Sequence, residues 1–92
     1  MPAQHFVPGL ATAVNASSRA QANALKALAL SGDDAGEKEW RDRAAAALVL
    51  GAHWAGEAQT PATLAKAAGV QEQAVAKHYA ILADRLKSMA PR

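Results

Sequence analysis

Ala44-Ala45-Ala46-Ala47-Leu48-Val49-Leu50-Gly51-Ala52-His53-Trp54-Ala55 holds a single polar side chain, His53. The four leading alanines are the strongest helix formers. A helix that is apolar on nearly every face must be covered on every face. The wholly apolar run, Ala44 to Ala52, is about half of the ~20 residues that cross a bilayer, so the segment is read as the central helix of a bundle. It begins at about Glu37, with two charged turns before the apolar stretch. Ala44, Ala47, Gly51 and Ala55 allow neighbours to approach closely, while Trp40, Leu48 and Trp54 fill the gaps. His53 is expected to be a buried or half-buried core histidine.

Four further helices surround this segment in the reading. On the N-terminal side, Phe6, Val7, Leu10 and Val14 recur at helical spacing over His5 to Val14, with Pro8 near the start, where it is tolerated. Ser17 or Ser18 can cap a second helix reaching about Leu30. Its apolar side is Ala24, Leu25 and Leu28, and Asn23 and Lys26 lie opposite. Ser31-Gly32-Asp33-Asp34-Ala35-Gly36 breaks it. On the C-terminal side, Thr60-Pro61 is a helix-start signal, threonine as the cap and proline in the first turn. That helix runs to Ala68, Gly69 stops it, and a fifth runs from Gln71 to about Met89. Val75, Tyr79, Leu82, Leu86 and Met89 form its buried stripe.

A chain of 92 residues suits one domain, 1–92. The fold class is all-α, a five-helix bundle. No cysteine is present, which excludes disulfides, thiolate metal sites and a cysteine nucleophile. Alanine occurs 26 times and aromatic residues make up only 4%. Such a core buries little area per side chain, so stability has to come from tight packing or from a partner surface, and a homodimer is expected. No secretion signal or membrane span is visible, and an intracellular, cytoplasmic setting is expected. The triplet Asn15-Ala16-Ser17 is therefore not read as a glycosylation site. Net charge is +2 overall. Residues 1–59 carry five basic and six acidic side chains, and 60–92 carry five and two, so a polyanion would prefer the C-terminal third.

The strongest local signal lies in 60–89. In Leu64-Ala65-Lys66-Ala67-Ala68-Gly69-Val70, alanines stand where two helices of a helix-turn-helix press together. Glycine takes the left-handed turn, and Val70 and Val75 tie the next helix inward. Gln71, Glu72, Gln73, Ala76 and Lys77 then project outward. The N-terminal residues of such a helix meet base edges, and glutamine suits adenine. Gln71, Gln73 and Lys77 are the candidate base-facing residues, with Lys66, His78, Arg85 and Lys87 as candidate backbone contacts. The same pattern also describes an ordinary helical hairpin, and Glu72 at the base-contact end repels phosphate.

Other chemistry is poorly supported. Asp33, Asp34, Glu37, Glu39 and Asp42 lack the spacing of a calcium loop and are read as helix-start carboxylates, so no metal or other cofactor is expected. His5, His53 and His78 share no ligand spacing, and there is no nucleophile motif or glycine-rich phosphate loop. The protein is not expected to be an enzyme.

The order of segments resembles a single cyclin-like repeat of the kind duplicated in general transcription factor B of archaea and eukaryotes. Phe6-Val7-Pro8-Gly9-Leu10-Ala11 is similar to its short opening helix, Ala44 to Leu50 to its alanine-rich central helix, and Gly56-Glu57-Ala58-Gln59-Thr60 to the following loop. The most specific part is Leu64 to Val70 with Val75 and Lys77-His78-Tyr79-Ala80-Ile81-Leu82. The resemblance implies that this last pair of helices is a helix-turn-helix, which in one family repeat reads a promoter element beside the TATA box. Ala76 stands where the family tends to have arginine, and Gln71 where it has threonine or serine. There is no zinc ribbon and no second repeat, so a full role in recruiting RNA polymerase is not implied. Two functions are carried forward. One is a small protein that binds double-stranded DNA, a transcriptional regulator or accessory factor. The alternative is a protein-protein interaction module or small inhibitor that packs on a protein partner.

Overall fold

The computed structural model describes residues 3–31, 36–57 and 59–86, the side chain of Glu37 excepted. A 3-10 turn, Ala3–Phe6, leads into α1, Val7–Ala13, and α2 spans Ser18–Ser31. A second 3-10 turn, Glu37–Glu39, opens α3, Trp40–Trp54, followed by α4, Pro61–Ala68, and α5, Glu72–Leu86. No strand occurs among the described residues, and no described helix is long and apolar enough to cross a membrane.

The central position expected for the alanine-rich helix is observed. Every residue of α3 from Arg43 to Ala52 is buried, and the other four helices all pack against it. Its closest neighbour is α2. A Cβ placed on Gly51 would lie 2.5 Å from the Ala20 carbonyl oxygen and 2.7 Å from the Ala24 nitrogen, so one backbone rests directly on the other. The contact face of α2 is Ala20, Ala24, Ala27 and Leu28, all buried, and Asn23 Nδ2 donates to the Gly51 carbonyl at 3.2 Å. The alanines are thus the packing surface itself, because small side chains bring two helices to short range and fill the space between them.

Three of the helices end in the same way. After α1, α3 and α4 the chain passes through a left-handed residue, Asn15, Gly56 and Gly69, with φ of 58°, 78° and 71°. In each case the following amide reaches back to a carbonyl five residues earlier: Ala16 to Ala11 (2.8 Å), Glu57 to Ala52 (2.8 Å) and Val70 to Ala65 (3.0 Å). These are Schellman closures, which satisfy carbonyls that a helix end would otherwise leave open. The start of α2 is held differently. Ser17 Oγ accepts the Ala20 amide at 3.1 Å, while the Ser17 amide and hydroxyl both donate to the carboxylate of Glu57, forty residues away. In an ordinary capping box that carboxylate belongs to the third residue of the same helix. Here it comes from the loop after α3.

Two expectations require correction. His53 is exposed rather than part of the core: the last turn of α3 emerges from the bundle with Ala52 turned inward and His53 outward. Leu25 lies 36% exposed, at the edge of the α2 contact face, and Ala27 takes the inward place assigned to it. Residues 32–35 of the expected break, with Asp33 and Asp34, lie outside the described residues, as do Ala58, Lys87 and Met89. Among the described residues no group of three or more histidine or acidic side chains could hold a metal ion.

Candidate nucleic-acid interface

Helices α4 and α5 are built by local signals. Thr60 is extended at φ −117°, ψ 155°, its hydroxyl accepts the Thr63 amide at 3.2 Å, and Pro61 occupies the first turn. Gly69 turns the chain, and the Gln71 carbonyl accepts the amides of Ala74 and Val75 as α5 begins. Leu64 and Ala65 of α4 and Val75, His78, Leu82 and Leu86 of α5 are buried, with Ala68, Val70 and Tyr79 partly buried against them.

That packing leaves one side of α5 outward. Gln73, Ala76, Lys77 and Ala80 are exposed and follow one another at spacings of three, one and three, a single helical face. Gln71 and Glu72 extend it at the N-terminal end, and Lys66 is exposed on α4. Gln71, Gln73, Lys77 and Lys66 are therefore free to approach a ligand. Arg85 is exposed but lies eight residues beyond Lys77, about 12 Å along the axis, and its guanidinium donates to the Ser31 carbonyl at 3.4 Å. Between residues 60 and 86 there are three basic and two acidic side chains, so most of the positive excess of the C-terminal third lies outside the described residues.

His78 does not join this face. It is 3% exposed and its Nδ1 accepts the Arg43 Nε–H at 3.0 Å in the interior between α3 and α5. An Nδ1 that accepts requires the neutral ring's proton to sit on Nε2, which lies 3.5 Å from Glu39 Oε1. Burial, followed by the Arg43 guanidinium, holds the imidazole below its ordinary value of 6.5, against the opposing pull of Glu39 and Asp42. The buried Arg43 was not foreseen from sequence. One signal was available for its partner: Val75, His78 and Leu82 are spaced three and four apart, so His78 belongs to the inward stripe of α5 as much as Tyr79 does.

The architecture defines an all-helical protein with a capped helix, a glycine turn and a longer helix that displays a small-residue polar face. No protein-family model, curated protein or solved structure matches the chain.

Proposed function

We propose that the protein binds double-stranded DNA through α4 and α5, acting as a small transcriptional regulator or accessory factor. The observation that carries this reading is the outward face of α5: Gln73 and Lys77 flank Ala76, and Ala80 follows, so the helix surface between the polar groups is low enough to lie in a major groove. Gln71 and Gln73 supply amides suited to base edges, Lys77 faces the groove beside them as a cation, and Lys66 supplies a phosphate contact. The similarity of the segment order to a transcription factor B repeat points the same way. With so few cations, one copy has a weak electrostatic hold, and useful affinity calls for a homodimer. Titration into a random 30-base-pair duplex at two salt concentrations tests the reading. Affinity should fall steeply as salt rises, and unchanged binding by a Lys77→Glu variant would refute this surface.

One observation favours the alternative, an interaction module for a protein partner. Leu25 and Leu30, 36% and 45% exposed, lie with Ala22 and Ala29 on the outward side of α2, where the exposed Lys26 stands between the two leucines, giving a largely apolar surface with one cation, remote in sequence from α5. A Leu30→Lys variant that lost binding to a protein partner while retaining DNA affinity would separate the two surfaces.

A further inference from the structure

We propose that the cleft between α1 and the end of α4 binds a small apolar anion, an aliphatic or aromatic carboxylate, with Arg41 as its counter-ion. The cleft has a volume of about 300 Å³, at the lower end of the roughly 300–1,000 Å³ typical of ligand pockets. Phe6, Gly9, Leu10 and Ala13 form one side, and Ala67 and Ala68 the other. The polar side chains lining it are Arg41 and His5, and no acidic side chain of the described residues contributes to its wall. Arg41, at the start of α3, holds its guanidinium carbon 5.7 Å from the centre of the Phe6 ring. At that distance the guanidinium makes a cation–π contact with the ring, and Arg41 is exposed, so its N–H groups can reach a carboxylate and grip it through two parallel hydrogen bonds. Apolar walls with one oriented cation select a ligand that has an apolar body and a single negative end. An uncharged analogue forfeits the ion pair, and a highly charged one gains nothing from the walls. The inference rests on the cleft alone and does not depend on DNA binding.

Gly9 supplies a clean blocking variant. A Cβ at this position meets nothing within 4 Å, and replacing glycine within a helix raises helix propensity. Gly9→Leu should therefore fill the cleft without unfolding the protein. The test titrates 1-naphthoate and, separately, neutral 1-naphthalenemethanol into the isotopically labelled protein, following amide resonances. Saturable shifts confined to the amides around Gly9, Ala13, Arg41 and Ala67 are expected for naphthoate, with about tenfold weaker binding of the alcohol. Arg41→Gln should abolish that difference, and Gly9→Leu should abolish binding while the melting temperature is kept or raised. Equal binding of acid and alcohol would overturn the anion assignment. Absence of saturable shifts, shifts scattered over the surface, or undiminished binding by a folded Gly9→Leu variant would overturn the site.

Discussion

Arg43 Nε donates to His78 Nδ1 at 3.0 Å across the interface of α3 and α5, joining the central helix to the helix that carries the proposed reading face. Both side chains are buried, so the bond operates where exchange with water is poor and loss of the acceptor is costly. Protonating Nδ1 would set two donors and two positive charges against each other. Because folding lowers the proton affinity of His78 relative to the ordinary value of 6.5, the unfolded chain binds more protons below that value. The neutral-ring contribution is then complete above about pH 6.5 and is lost as pH falls toward the folded-state pKa. Denaturant titrations from pH 7.5 to 5 should show this decline. His78→Gln, which keeps an acceptor for Arg43 but cannot titrate, should flatten the pH dependence across that window, whereas His78→Ala should lower stability by about 1–3 kcal/mol at pH 7.5.

Gly51 is held to its present size by backbone. Gly51→Ala would gain about 1 kcal/mol of helix propensity, yet its methyl would stand 2.5 Å from the Ala20 carbonyl oxygen, which cannot rotate away. Separating α2 from α3 should outweigh that gain and leave a net loss of about 1–3 kcal/mol. Thermal unfolding by circular dichroism should show a melting temperature lower by roughly 4–8 °C per kcal/mol for a domain of this size.

The tertiary capping box predicts a coupling between positions 17 and 57. Ser17→Ala and Glu57→Ala should each cost about 1 kcal/mol. The double variant should cost less than their sum by about 0.5–1 kcal/mol, because both changes remove the one bond they share, from the Ser17 hydroxyl to the Glu57 carboxylate. Strict additivity in denaturant melts would show that Glu57 acts elsewhere.

At the turn between α4 and α5, Gly69→Ala meets no steric neighbour but must adopt φ 71°, at a cost of about 1–2 kcal/mol. Gly69→Asn should cost less, since asparagine already occupies the corresponding turn at Asn15. Lys77→Glu, on an exposed position, should leave stability within about 0.5 kcal/mol of the parent while weakening binding to any duplex by tenfold or more. Anisotropy measured beside unfolding curves separates the two effects.

Local chemistry determined much of this protein from sequence alone. The apolar run from Ala44 to Ala52 could only be a covered helix. Thr60-Pro61 and Gly69 marked the ends of α4, since capping and left-handed geometry depend on residues a few positions apart. The outward set Gln71, Glu72, Gln73, Ala76 and Lys77 followed from helical spacing once Val75 was placed inward. Tertiary structure decided what depends on residues distant in the chain. Helical period put Tyr79 in the inward stripe of α5 and His78 on its flank as a candidate phosphate contact, and only the position of Arg43 on α3 shows why the histidine takes a buried place. Ser17 lacks a glutamate three residues later, and its carboxylate partner arrives from position 57 through the path of the loop. The cleft beside Arg41 is assembled from α1, α3 and α4. No single segment encodes it, because a cavity is a property of how helices are set apart.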